Sequence, residues 1–181
     1  MWASRMLIMT LCLSIAFGFL SQVVFSRMGI LFAIAGIIFF IFISTIFDMV
    51  GIASASADIE VFKIWRSKKV EGSETGYRIV KNCEKVCSFC ADVVGDICST
   101  LCGAGGASIV LYITKNTENL NLITLISIFT TAVIAGLTIF FKALMKERAV
   151  RRSNHIILKI GKIYERTFKK MQKSVDTDSK V

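Results

Sequence analysis

The sequence contains no proline, and this absence favours long helices over turn-rich β structure. Its single histidine, His155, lies in a basic tail and cannot complete a nucleophile–histidine–acid set. The glycine-rich segment 103–106, GAGG, lacks the lysine of a phosphate-binding loop. These absences argue against an enzyme, so we expect no catalytic residues.

Charge is scarce over most of the chain, of which 54% is hydrophobic. The mean hydropathy of +0.65 is too high for a soluble domain of this size. Four runs are long enough to cross a bilayer, at about 20 residues each, and they cover residues 6–25, 28–48, 88–114 and 120–141. The predicted fold is an all-α integral membrane protein with four transmembrane helices and interfacial amphipathic helices. A cleaved signal peptide is the alternative for the first run, although no small-x-small cleavage site follows it cleanly.

Lysine and arginine are concentrated in the link between the second and third runs and after the fourth run. The other two links offer only Arg27 and Lys115. The positive-inside rule then predicts a four-span domain over residues 1–145 of a cell-membrane protein, with both termini cytoplasmic.

The segments between and after the spans are amphipathic. Residues 58–85 are predicted to form interfacial helices, with the sequence EGSETG as a turn between them. Residues 146–173 predict a basic amphipathic cytoplasmic helix, followed by a disordered tail over 174–181. A nucleic-acid-binding arm is the alternative, but few aromatic residues interleave with the charges. We expect anionic lipids as the partner and no nucleic acid.

Five of the six cysteines lie between Cys83 and Cys102. The predicted topology places them in the cytoplasm or in the bilayer, which argues against disulfides. A thiolate site for a soft metal is a competitor, because Cys83, Cys87 and Cys90 are spaced three and four residues apart. We favour packing, since cysteine behaves as a small hydrophobic residue between helices.

A helical projection at about 100° per residue separates this stretch into two faces. The thiols occupy one face, and the other holds carboxylates, hydroxyls and glycines: Ser88, Asp92, Gly95, Asp96, Ser99, Gly103 and Gly106. Charged residues inside a span cost at least about 2.5–3.5 kcal/mol each and usually face a bundle interior or an aqueous cavity. Unless a cation lies between them, Asp92 and Asp96 cannot both stay ionised at this spacing.

Oxygen ligands of this kind suit a hard cation such as Mg²⁺, Ca²⁺ or Na⁺. The second run ends in a similar set of small and acidic residues, and the candidate metal ligands are therefore Asp92, Asp96, Ser99, Gly95, Ser88, Asp48, Ser54 and Ser56. The alternative is that the aspartates lie at headgroup level, solvated or paired with Lys81 and Lys85.

The order of elements resembles the transmembrane domain of the CNNM/CorC (CorB) family of magnesium transport proteins. The resemblance spans about residues 41–145 and rests on three segments, GIASASADIEVFKI, WRSKKVEGSETGYRIVKN and VCSFCADVVGDICSTLCGAGGA. It implies Mg²⁺ ligands at Ser54 or Ser56 and at Gly95, Asp96 and Ser99, with export coupled to Na⁺. The chain departs from the family in its additional N-terminal span, in a fourth span without a carboxylate, and in an expected short form without CBS domains.

The sequence therefore predicts transport or binding of a hard divalent cation, most simply Mg²⁺, by a chain that we expect to form a homodimer. The alternative is a non-transporting membrane scaffold or regulatory subunit that oligomerises through small-residue helix faces.

Overall fold

A computed structural model describes residues 2–27 and 29–178, and every regular element in them is helical. The helices, in chain order, are α1 (Trp2–Arg27), α2 (Ile30–Ser56), α3 (Ile59–Ser67), α4 (Ser73–Lys81), α5 (Cys83–Cys87), a π-helical segment (Ser88–Val94), α6 (Gly95–Ile113), α7 (Leu120–Arg151) and α8 (Ser153–Asp178). This confirms the all-α prediction.

The chain divides into two units. The bundle unit comprises Met1–Asp48 and Phe89–Met145, and the basic unit comprises Met49–Ser88 and Lys146–Val181. In the bundle unit, Ile37 and Ile41 of α2 bury against Cys102 of α6 and against Ile134 of α7. Helix α6 makes its most extensive backbone approach to α1.

Two contacts of α6 define the direction of α7. A Cβ on Gly106 would lie 2.8 Å from Ile134 Cδ1, and one on Gly95 would lie 3.8 Å from Lys142 Nζ. The earlier residue of α6, Gly95, lies beside the later residue of α7, Lys142, and the later one, Gly106, lies beside the earlier one, Ile134. The two helices are therefore antiparallel.

Helix α1 runs in the same direction as α6, unlike α7. A Cβ on Gly18 would meet Thr100 Cγ2 at 3.6 Å. The part of α1 before Gly18, from Leu7 to Ile15, lines a groove together with Asp96, Ser99 and Thr100 of α6. Earlier residues of α1 thus lie beside residues of α6 that come before Thr100 or include it. Helices α1 and α6 are therefore parallel.

The basic unit has its own apolar core. Phe62 of α3 is fully buried among Ala53, Val80, Ala149 and Ile157. Its ring meets Trp65 edge-on, with centroids 5.2 Å apart. The apolar stripes of the amphipathic α3, α4 and α8 thus bury against one another.

Helix α8 is attached to the start of α4 by charge-assisted hydrogen bonds. The Glu165 carboxylate accepts hydrogen bonds from the backbone N–H of Gly72 at 2.9 Å and from that of Thr75 at 3.3 Å. Arg166 donates to both oxygens of Glu71 at 3.1 Å. Because a carboxylate at a helix N-terminus satisfies exposed amides and the helix dipole, Glu165 caps α4 from a remote part of the chain.

The boundaries differ from the predicted ones in three places. The segment EGSETG was predicted as a turn, but α4 already begins at Ser73, and the chain reverses over 68–72, with positive φ at Lys69 and Gly72. The basic helix was predicted as one piece from residue 146, but α7 continues to Arg151 and α8 begins at Ser153. Helix extends to Asp178 where a disordered tail over 174–181 was predicted, and residues 179–181 lie outside the described part.

Three helical stretches in the described residues are long and apolar enough to cross a membrane: Ile30–Ser56, Cys83–Ile113 and Leu120–Arg151. They correspond to the second, third and fourth predicted spans. In α1 the apolar part found is the shorter stretch Leu7–Phe19.

Candidate cation-binding groove

An open groove of about 650 Å³ runs between α1 and α6 in the bundle unit. Its polar lining combines Asp96, Ser99 and Thr100 of α6 with Thr10 and Ser14 of α1. Leu7, Leu11 and Ile15 supply the apolar part of the wall. Asp96 is the only charged residue among these lining residues, so the groove presents one carboxylate and four hydroxyl groups.

The hydroxyls of α6 are held in place by the helix backbone. Ser99 Oγ donates to the carbonyl oxygen of Gly95 at 2.9 Å, and Thr100 Oγ1 donates to that of Asp96 at 2.9 Å. Each hydroxyl uses its proton in this bond and keeps its oxygen lone pairs available. The groove therefore offers oxygen acceptors to a cation.

The π-helical segment Ser88–Val94 changes the predicted two-face pattern. Its i→i+5 ladder turns less per residue than an α-helix, so a uniform projection through it places residues on the wrong side. Four residues of the predicted carboxylate face are exposed together in the single chain, in agreement with the helical projection: Asp92, Asp96, Ser99 and Gly103. Gly95 is instead buried, facing Lys142 of α7, and is separated from the carboxylates with which the projection grouped it.

Gly106 also leaves the predicted carboxylate face, because it is buried against Ile134. Of the eight predicted ligands, Asp96 and Ser99 line the groove, and Gly95 adjoins it through the carbonyl that Ser99 uses. Asp92 is exposed on the π-helical segment, and the groove lining does not include it.

The other four predicted ligands lie elsewhere. Asp48 is half-buried near the end of the bundle-unit part of α2. Ser54, Ser56 and Ser88 belong to the basic unit. Ser54 is buried and donates to the Gly51 carbonyl at 2.7 Å, while the backbone carbonyl of Ser56 accepts from Ser153 Oγ at 3.2 Å. These hydrogen bonds give Ser54 and Ser56 structural contacts within the basic unit.

Sequence reasoning missed Thr10 and Ser14. The first run was treated as uniformly apolar, yet these two hydroxyls are four residues apart and so share one face of a helix. That spacing is the signal that identifies α1 as a contributor to the groove.

Sequence reasoning also missed Lys142, because the basic residues after the fourth run were used only to predict the orientation of the spans in the membrane. Its ammonium nitrogen lies beside Gly95, the residue next to Asp96, and the side chain is half-buried. No ion pair engages Lys142 or Asp96 within the described residues. A positive and a negative charge therefore flank the same turn of α6 without direct contact.

The cysteines of α6 are packing residues. Cys98 and Cys102 are 4% and 5% exposed, and Cys102 belongs to the α2–α6 core with Ile37 and Ile41. All six cysteines are free. The described residues contain no cluster of three histidine, cysteine, aspartate or glutamate side chains able to hold a metal.

The described residues define a helical protein with membrane-length helices and a polar groove between α1 and α6. Comparisons with protein-family models, with curated proteins and with solved structures find no match. The resemblance to magnesium transport proteins therefore rests on the order of elements in the sequence.

Proposed function

We propose that the chain is a multi-pass membrane protein that binds and transports a hard cation, most simply Mg²⁺, through the groove between α1 and α6. The observation that carries the proposal is the single carboxylate of Asp96 among four hydroxyls, in a groove whose remaining wall is apolar. An ionisable side chain on a membrane helix is costly and commonly marks an ion pathway. Export coupled to Na⁺ is part of the proposal.

The donor set suits a hydrated ion. Mg²⁺ retains several waters and is often held by only one or two carboxylates, so one aspartate with nearby hydroxyls is a plausible set. Six waters occupy roughly 180 Å³ at about 30 Å³ each, and the groove of about 650 Å³ has room for them. Asp96 would hold the ion while hydroxyls such as Ser99 and Thr10 orient its waters.

The helix directions support four spans with both termini in the cytoplasm. Helix α1 runs parallel to α6 and α7 runs antiparallel to it, as alternate crossing of a bilayer requires. The apolar run 120–141 of α7 is about 33 Å long, close to the roughly 30 Å hydrocarbon layer. Lys142 follows that run and lies beside Gly95, which supports a location of Asp96 at the cytoplasmic mouth of the groove.

We expect Asp96→Asn to abolish stabilisation of the purified chain by Mg²⁺, because it removes the only charge in the groove lining. At a tenfold excess of ion over Kd, binding adds about 1.4 kcal/mol to the free energy of unfolding, which corresponds to a rise in Tm of about 3–6 °C. The measurement is a thermal melt in detergent with and without Mg²⁺.

Asp92→Asn is the matched control. It makes the same chemical change four residues away, on an exposed side chain outside the groove lining. We expect this variant to retain the Mg²⁺-dependent rise in Tm. Equal loss in both variants, or no rise in the unmodified chain, would contradict a site in this groove.

The basic unit is proposed to lie at the anionic cytoplasmic leaflet. Ile156 and Ile160 of α8 pack on the core of the basic unit, whereas Ile163 and Tyr164 remain 58% and 60% exposed. These exposed side chains, among basic residues worth about 1 kcal/mol each near an anionic surface, support lipid rather than nucleic acid as the partner.

A second candidate function is that of a scaffold or regulatory subunit that assembles as a homodimer. Ser99, Gly103 and Ala107 follow one another at intervals of four on α6, and all three are exposed. A Cβ on Gly103 would meet nothing within 4 Å, so its side remains open in the single chain. Small residues at this spacing favour close association of helices in membranes.

If this stripe is the dimer contact, we expect Gly103→Leu to shift the chain from dimer to monomer without lowering the Tm of the monomer. The companion variant Gly106→Leu should lower the Tm instead, because Ile134 already fills that side of α6. Light scattering coupled to size exclusion in detergent measures the first effect. An unchanged mass for Gly103→Leu would rule out the contact.

A further inference from the structure

We propose that Lys142 is a tethered counter-charge beside the groove, a cation built into the chain that opposes the entry of a metal ion. The inference rests on the proposed function and extends it to a residue that sets cation affinity. Its basis is the location of the Lys142 ammonium group, whose nitrogen would be 3.8 Å from a Cβ on Gly95.

Lys142 and Asp96 approach the same turn of α6 from neighbouring sides. The Cβ direction of Gly95 points to α7, and the next residue, Asp96, faces the groove with α1. Successive residues are about 100° apart around a helix, so the ammonium and carboxylate groups lie on adjacent faces rather than on opposite ones.

Gly95 lies within ordinary contact distance of the lysine head group. The residue is buried, and a Cβ there would be 3.8 Å from the Lys142 nitrogen, so the two helices bring the ammonium group close to this turn without crowding it. Lys142 has a flexible four-carbon stem, which lets its charge move toward Asp96 when the groove is empty and withdraw toward the headgroups when the groove is filled.

The electrostatic consequence is competition. A positive charge near a cation site opposes entry of a second cation, and the opposition is stronger for a divalent ion than for a monovalent one. A weakly held ion is also released readily, which transport requires. Lys142 therefore lowers the affinity of the groove for Mg²⁺ relative to that for Na⁺.

We expect Lys142→Met to tighten Mg²⁺ binding by about tenfold, as measured by isothermal titration of the detergent-solubilised chain at about 0.15 M ionic strength, where distant charges are screened. Lys142→Arg keeps the charge and should bind like the unmodified chain. Lys146→Met makes the same change at an exposed position one helical turn further along α7 and serves as the control.

The outcomes separate the inference from the function on which it rests. Tighter binding in Lys142→Met alone, including binding that appears only in that variant, supports the counter-charge. Binding in the unmodified chain that Lys142→Met leaves equal or weaker overturns the inference while the groove keeps its function. An equal gain in Lys146→Met would assign the effect to net charge and also overturns it. Absence of binding in the unmodified chain, Lys142→Met and Lys142→Arg removes the proposed function itself.

Discussion

Replacing Gly161 by alanine is expected to destabilise the basic unit by about 2–3 kcal/mol net. A Cβ at this position would overlap the carbonyl oxygen of Gly72 and lie 3.1 Å from its carbonyl carbon and 3.2 Å from the nitrogen of Gly76. These neighbours are backbone atoms of the turn and of α4, so they cannot rotate away as a side chain would. Alanine gains about 1 kcal/mol in helix propensity over glycine, and the overlap exceeds this gain.

Trp65 provides the readout for Gly161→Ala. Its ring lies beside Phe62 and, with centroids 6.5 Å apart, beside His155 of α8. The sequence has one other tryptophan, Trp2, so a Trp2→Phe background makes Trp65 the single fluorophore. Denaturant titration of its emission then measures the stability of the basic unit.

Gly136→Ala in α7 is the control, because a Cβ there would meet nothing within 4 Å. We expect it to be neutral or slightly stabilising. A Gly161→Ala curve that overlays the control would contradict the close approach of α8 to α4.

Replacing Phe62 by alanine is expected to cost about 4 kcal/mol. The side chain is fully buried at the centre of the α3–α4–α8 core, and its removal leaves a cavity as well as lost apolar burial. Hydrogen exchange of the backbone amides of α4 and α8 measures the loss as reduced protection.

Gly76 sharpens this prediction through a double-mutant cycle. A Cβ on Gly76 would overlap the Phe62 ring, whose Cδ1 atom is 2.8 Å away. Gly76→Ala should therefore be strongly destabilising alone and much less so when Phe62→Ala has vacated the space. Additive effects of the two changes would contradict the contact.

The helices were the most predictable part of the fold. Apolar runs of membrane length and the absence of proline leave few alternatives, and the runs at 28–48, 88–114 and 120–141 correspond to helices long enough to cross a bilayer. Their ends were less predictable. The sequence EGSETG has the composition of a turn, but Glu165, some ninety residues later, caps the amides of Gly72 and Thr75 and lets α4 begin at Ser73.

The groove was predictable in part. The cost of a charge in a membrane helix singled out Asp92 and Asp96 together, and of the two only Asp96 lines the groove. The three-residue spacing from Asp96 to Ser99 follows from an α-helix, whereas Thr100 was not predicted. The location of Gly95 did not follow, because no residue in the stretch 88–94 signals a π-helical ladder. The pairing of α6 with α1 and of Gly95 with Lys142 depends on tertiary packing, which a single helical projection cannot contain.

The most direct test of cation transport by the α1–α6 groove is Mg²⁺ flux into proteoliposomes that contain a Mg²⁺-sensitive dye. We expect flux with the unmodified chain and with Asp92→Asn, and none above protein-free vesicles with Asp96→Asn. Equal flux with all three chains, or none with the unmodified chain, would contradict the proposal that the carboxylate of Asp96 carries the ion through the groove.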